Sequence, residues 1–272
     1  MSPFHGKNLV IGEDKRMKPA AIAVLLLCSP FCALAAELKP ATVQAFDKYI
    51  RQTEQRLNTR KPFLWADELP ECARRIRNGE ILVEPTGAKP VIEIDDGLIH
   101  DWVGSVFIPG VSLASVLDHV EDYDHSRTRH KEVLDSRILS HHDNDFLVYM
   151  RLVKKKMITV VLNTEHDIHY YPLDATHCRS QSKTVKIAEV ENAGQKDEKE
   201  LPPGTGHGFL WKLYTYWRFQ ERDGGTWMEC EAISLTRDIP TGLGWLIEPI
   251  IRSLPKDSLE STLRETASAL RK

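Results

Sequence analysis

Two segments near the carboxyl end carry the side chains best suited to holding a polar group. They meet at Asp223-Gly224, a pair typical of the two-residue turn of a β-hairpin. With these residues in the turn, Arg218 lies opposite Glu229. By the same count, Tyr216 lies opposite Glu231. Opposed residues are about 5 Å apart, so Arg218 and Glu229 can form an ion pair. The spacing predicts one hairpin face that presents a phenol, a guanidinium and two carboxylates.

The other hairpin face is apolar and includes Trp217, a candidate ligand contact. Two interpretations remain open. In the first, the apolar face packs as core beneath a helix and the ion pair lies in solvent, where it contributes less than about 1 kcal/mol. In the second, the polar face lines a cavity and the Arg218–Glu229 pair anchors the polar head of a ligand, because a buried charge needs a partner.

Other residues that could do chemistry give weaker patterns. Arg151 shares a strand face with Tyr149 and is a further candidate ligand anchor, although an exposed strand residue would show the same pattern. His166 and His169 are three residues apart, which on a strand places them on opposite faces and not around one metal ion. The sequence contains no nucleophile elbow, CxxC pair or paired-carboxylate motif. We therefore predict no catalytic residue, no metal site and no cofactor.

The composition is that of a globular protein. The chain has 272 residues, of which 42% are hydrophobic and 28% are charged, and its net charge is −3. Because nucleic-acid-binding proteins usually carry a basic stripe, this near-neutral balance predicts no nucleic-acid partner. Three cysteines, Cys72, Cys178 and Cys230, lie outside the first 35 residues, which allows one disulfide with an open pairing.

Residues 1–35 are interpreted as an upstream extension followed by a signal peptide. Met17-Lys18 gives a short positive start, residues 20–27 are apolar, and Ala33-Leu34-Ala35 supplies small residues for cleavage after Ala35. The apolar run is shorter than the roughly 20 residues of a spanning helix, although an uncleaved anchor is the alternative. We predict a true start at Met17 and an exported protein, periplasmic or secreted.

The rest of the chain predicts an α+β fold. Residues 36–97 form an N-terminal helical appendage, with an amphipathic helix over 40–57, a short helix over 67–77 and a short strand at 81–84. Residues 98–272 form the main domain. Its predicted elements are a strand at 98–108, a helix at 111–120 capped by Ser112, strands at 133–141, 146–153, 157–171 and 179–191, a mobile loop at 192–207 and the closing hairpin at 209–235.

A long helix is predicted to end the chain and to cover one face of the sheet. Leu259, Leu263 and Leu270 recur at helical spacing and form its apolar stripe. The preceding stretch, 242–254, is broadly apolar, and prolines at 249 and 255 interrupt it. Core packing explains part of this pattern. The alternative is a transient membrane contact through four side chains, Trp245, Leu246, Ile250 and Ile251.

The order of these segments resembles the START/SRPBCC helix-grip superfamily. The similar stretches are VFIPG with LASVLDHVEDYDH, then RLVKKKMITVVLNTEH, then WRFQERDGGTWMECEAISLTRDIP and SLPKDSLESTL, within residues 98–270. The resemblance implies a curved antiparallel sheet that grips the terminal helix and encloses a hydrophobic cavity. It also implies lipids, sterols or polyketides as ligands, and some members act as cyclases or hydratases.

The sequence therefore predicts a non-enzymatic protein that binds a hydrophobic or amphipathic small molecule, such as a lipid, between sheet and helix. One alternative is a cyclase- or hydratase-type enzyme in which Tyr216, Arg218 and the two glutamates orient a substrate in the same cavity. A second is an envelope structural module whose cavity is filled by its own side chains.

Overall fold

The computed structural model describes residues 36–155, 159–238 and 244–271, with the side chains of 244–252 outside this description. The helices are α1 (Pro40–Thr59), α2 (Pro70–Arg77), α3 (Leu113–Glu121), α4 (Ser126–Arg129) and α5 (Gly244–Leu270). The strands are β1 (Leu82–Pro85), β2 (Val91–Ile94), β3 (Gly97–Pro109), β4 (Val133–His142), β5 (Asp145–Lys155), β6 (Thr159–Asp174), β7 (His177–Glu191), β8 (Lys199–Glu200), β9 (Lys212–Arg222) and β10 (Gly225–Arg237).

The strands form one antiparallel sheet in the order β1-β3-β10-β9-β7-β6-β5-β4, with β2 paired to β3 and β8 to β7. The register of the β9–β10 hairpin is the predicted one, with Arg218 opposite Glu229 and Tyr216 opposite Glu231. Asp223 and Gly224 both have positive φ, at 59° and 75°, as the tight hairpin turn requires.

Helix α5 lies across one face of this sheet, which we call the inner face. Leu259 and Leu263, from the predicted stripe, are buried in a core that includes Val106 and Met228. Gly104 of β3 lets the helix approach closely, because a Cβ there would lie 2.7 Å from Leu263 Cδ1. This sheet-and-helix arrangement confirms the predicted α+β helix-grip fold.

The terminal helix continues through both of its prolines, where the sequence predicts interruptions. A proline loses one helical hydrogen bond but has a backbone φ that fits the helix. Packing of the apolar stripe of α5 against the sheet therefore outweighs the tendency of proline to interrupt a helix.

The N-terminal segment forms a second layer on the opposite, outer face. Phe46 and Ile50 of α1 pack against Ile233 and Leu235 of β10. Residues of the α2 region form another cluster, in which Ile76 packs near Trp227. The same segment also supplies β1 and the unpredicted β2 to the sheet. The molecule thus has apolar clusters on both sides of its sheet.

Candidate ligand-binding cavity

A cavity of about 380 Å³ lies between α5 and the inner face of the sheet. This volume is within the range of small-molecule sites, about 300–1,000 Å³. Alternation along β5, β6 and β9 turns large apolar side chains into it. These include Met150, Leu162, Ile168, Leu213, Trp217 and Phe219. The wall can therefore surround the apolar body of a ligand.

Trp217 is the one predicted ligand contact that lines this cavity. Its indole stacks on Phe219, with ring centroids 5.9 Å apart and an interplanar angle of 4°. Cys230 and Ala232 of β10 lie beside them in the wall. The apolar face of the hairpin thus looks toward α5, as the first interpretation of the hairpin has it.

The polar face of the hairpin lies on the outer side of the sheet, beneath α1. Arg218 donates to the carbonyl oxygens of Phe63, at 2.8 Å, and Leu57. Glu229 accepts from Arg60 and from the backbone N–H of Trp65. Arg218 is only 8% exposed and Glu229 only 2%. The face is therefore neither cavity wall nor solvated surface.

Tyr216 and Glu231 share this outer position. Tyr216 donates its hydroxyl to Glu54 at 3.0 Å, and Glu231 binds Arg56. These placements correct the interpretation in which the polar face lines the cavity, and with it the enzyme alternative that used these residues. The physical reason is the α1 layer, which supplies partners that the strand sequence alone cannot show.

Arg151 also lies away from the cavity. Its guanidinium forms two hydrogen bonds with Glu198, at 3.0 and 2.8 Å, and so binds the segment predicted as a mobile loop. Glu189 holds the far end of that loop, because it accepts from the backbone N–H groups of His207, at 2.8 Å, and Phe209, at 3.1 Å. The loop is therefore tied to the sheet in its middle and at its far end.

The predicted membrane-contact residues cannot be placed in this way. The side chains of Trp245, Leu246, Ile250 and Ile251 lie outside the described residues, so the contact stays a prediction. Their backbone forms the first turns of α5. Among the described helices, none is long and apolar enough to cross a membrane.

His166 is a polar group in the cavity wall that the sequence interpretation missed. Its ring is 6% exposed, and Nε2 lies 2.9 Å from Thr164 Oγ1. Because Thr164 donates its only hydroxyl hydrogen to the carbonyl of Met150, it must accept from His166 Nε2–H. Nδ1 is then an unprotonated acceptor, with Ser182 Oγ at a long 3.5 Å. Burial lowers the pKa of His166 to about 4, so the ring is neutral at physiological pH.

Hydroxyl groups accompany this histidine along the wall. Ser182 of β7 is in register with Thr215 of β9, and both line the cavity. Ser234 of β10 is buried there, and its Oγ has no hydrogen-bond partner within the described part of the chain. Such a hydroxyl is free to bind a water molecule or a polar group of a ligand. The inner wall thus offers neutral donors and acceptors.

Charged side chains gather at one end of the cavity, where they are partly exposed. Lys154 binds Glu132 and Ser258, and His130 Nδ1 lies 3.4 Å from Glu265. This end meets solvent, so the cavity is apolar in its body and charged at its rim. Cys230 in the cavity wall, Cys178 in the inner core and Cys72 are all free thiols, so these three form no disulfide.

The sheet, the terminal helix and the cavity between them define the class of this protein as a helix-grip fold with an internal cavity. Beyond this fold class, the chain can be compared only with solved structures. No family model matches the chain, and no curated protein matches it.

Solved structures of similar fold include lipid transfer proteins and an aromatase/cyclase. A STAR-related lipid transfer protein from Xanthomonas axonopodis is 12% identical, with a TM-score of 0.48, over 68% of this chain and 100% of that one. The Zhui aromatase/cyclase from Streptomyces is 12% identical, with a TM-score of 0.43, over 63% and 93%. The human StarD13 lipid transfer and protein localization domain is 7% identical, with a TM-score of 0.43, over 76% and 97%. What this cavity binds must be inferred from its own side chains.

Proposed function

We propose that the protein binds one apolar small molecule of the lipid class in the cavity between α5 and the sheet. The observation that carries this proposal is the cavity of about 380 Å³ with an apolar wall and one end open to solvent. Apolar surface moved from water into such a wall gains roughly 25 cal/mol per Å². Burial of an apolar ligand of matching size in this wall therefore favours binding.

The polar groups of the wall favour an uncharged ligand. His166 is neutral, and its neighbours Ser182 and Thr215 are hydroxyls. An ionised group placed among them would lose its hydration without gaining an opposite charge, which is costly. A hydroxyl or carbonyl group instead finds both a donor and an acceptor there. Charged groups of an amphipathic ligand would lie at the rim, near Lys154 and Glu265.

A series of ligands with one alkyl chain tests this proposal. We expect a long-chain alcohol to displace a fluorescent apolar probe at least tenfold more effectively than the amine of equal length. His166→Leu should reduce this preference for the alcohol, while Val185→Leu, at an exposed strand position, should leave it unchanged. Equal displacement by alcohol and amine would count against the neutral site, and no displacement by either would count against lipid binding.

Export belongs to the same proposal, because the residues that predict it, 1–35, lie outside the described chain. We expect the mature protein, expressed with its full leader, to begin at Ala36. Mass spectrometry of the intact purified protein measures this directly. A protein that keeps residues 17–35 would point to the uncleaved anchor.

A contact between the start of α5 and a membrane would let the domain collect its ligand from a bilayer. We expect Trp245→Ala and Ile251→Asp to reduce flotation of the protein with liposomes. Unchanged flotation of both variants would dispose of the contact.

A further inference from the structure

A second, polar pocket of about 220 Å³ lies on the outer face of the sheet, at the carboxyl end of α1. It is formed by side chains of α1 and of strands β6, β7 and β9. The residues that matter for its chemistry are Glu54, Asn58, Arg179, Lys183 and Arg218. The sheet lies between this pocket and the apolar cavity, and Ser180 of β7 borders both.

The charges of the pocket are unbalanced. Three of its side chains are cationic, and Glu54 is its one carboxylate. Glu54 Oε1 is already shared, because it lies 2.7 Å from Lys183 Nζ and accepts from Tyr216 and Gln181 at 3.0 Å each. Lys183 is therefore compensated, whereas the two guanidinium groups have no carboxylate within the pocket.

Arg218 has neutral partners, two carbonyl oxygens and the ring of Phe63, whose centroid lies 5.0 Å from its guanidinium carbon. It donates to two backbone carbonyls, one of them from the last turn of α1. The nearby Glu229 is already bound to Arg60. Burial, with the positive charges of Arg60 and Arg179, lowers the pKa of Arg218 to about 10. Its surroundings therefore disfavour positive charge and would favour an added negative one.

Arg179 is the less compensated of the two arginines. Its Nη1 donates to the side-chain oxygen of Asn58 at 3.1 Å, and its guanidinium carbon lies 4.7 Å from the ring centroid of Tyr171. Its Nε is buried and has no hydrogen-bond partner among the described residues. A donor enclosed in this way costs free energy unless an acceptor reaches it.

We propose that this pocket binds a small oxyanion, of the phosphate or carboxylate class, between Arg179 and Arg218. The planar guanidinium matches two oxygens of such a group, and these charge-assisted hydrogen bonds are the strong ones. The anion supplies the negative charge that the pocket lacks. Its source is either a soluble anionic metabolite or the headgroup of an anionic lipid.

Inorganic phosphate is the probe for the site. We expect calorimetric titration at low ionic strength to show binding to the full mature chain, and Arg179→Gln to weaken it at least tenfold. Arg137→Gln is the matched control, because Arg137 also stacks on a tyrosine, 3.9 Å from the ring centroid of Tyr149, outside the pocket. Binding that is equal in wild type and Arg179→Gln, or no binding to wild type, would overturn the proposal.

A second variant keeps the test decisive if Arg179→Gln folds poorly. Asn58→Asp places a carboxylate beside Arg179, where the anion would lie. We expect it to raise the melting temperature without phosphate and to abolish phosphate binding. Unchanged phosphate binding by this variant would also contradict the site.

Vesicles separate the two sources of the anion. Sedimentation with phosphatidylcholine vesicles that contain phosphatidic acid, lost in Arg179→Gln, assigns a lipid headgroup. Phosphate binding without such sedimentation assigns a soluble anion. The anion site does not depend on the lipid proposal. We expect the long-chain alcohol to displace the fluorescent probe from Arg179→Gln as it does from wild type.

Discussion

Glu229 remains inside the protein because donors from one short segment reach both of its oxygens. Burial raises the pKa of this carboxyl, and Arg60 with the Trp65 N–H acts in the opposite direction. Each buried glutamate of β10 has its own arginine, since Arg56 binds Glu231. The end of α1 therefore supplies the charge partners of these buried carboxylates, and its apolar side chains pack on the sheet.

Removal of an arginine that pairs with one of these buried glutamates should be strongly destabilising. We expect Arg60→Met to lower the free energy of unfolding by about 3–5 kcal/mol, because Glu229 would stay buried without its ion-pair partner. Arg56→Met should cost less, since the Arg56 side chain is 45% exposed and water can partly replace it. Urea denaturation measures both. Equal small losses would show that the pair with Glu229 is not a buried one.

Asp101 should make stability depend on pH. Burial and the neighbouring Glu231 raise its pKa to about 7 from 3.8. The folded chain therefore holds this proton up to a higher pH than the unfolded chain does. Stability from this group is greatest at acidic pH and falls as the pH rises from about 4 to about 7.

Asp101→Asn removes that proton equilibrium and still offers an acceptor to Tyr49, which donates to Asp101 at 2.7 Å. We expect the stability of the variant relative to wild type to rise between pH 4 and pH 8. The comparison isolates Asp101 from His166, whose lowered pKa acts in the opposite direction. A difference that stays constant across this range would contradict the assignment.

At the scale of elements, the contact between β3 and α5 sets the distance between the terminal helix and the sheet. We expect Gly104→Val to cost about 1–3 kcal/mol, because the added atoms overlap Leu263 and Val83. Gly87→Val is the control, since nothing lies within 4 Å of a Cβ built there. Thermal denaturation compares them, and equal melting temperatures would mean that α5 shifts without cost.

The hairpin shows how far the sequence could predict this fold. Turn chemistry at Asp223-Gly224 fixes the register, so every opposed pair was predictable. The inward face was not, because β10 is buried on both sides and loses the alternation that separates core from solvent. His166 was missed for a related reason, since its role depends on Thr164, on the burial of its ring and on a register shift beside Glu165.

At the scale of the whole molecule, the sheet divides two kinds of chemistry. Its inner face and α5 enclose an apolar volume with neutral polar groups, whereas its outer face and α1 enclose arginines and carboxylates. Charged residues can occur on the buried central strands because the α1 segment supplies their partners. Substitutions can therefore change the apolar cavity and the polar pocket independently.

Native mass spectrometry of the purified protein tests the central proposal most directly. We expect one apolar molecule bound per chain. We also expect Ala232→Trp, which fills the cavity beside Trp217, to release that molecule, whereas Val185→Trp on the surface should not. A wild-type protein that stays ligand-free after mixing with long-chain alcohols, or an Ala232→Trp variant that binds as wild type does, would contradict it.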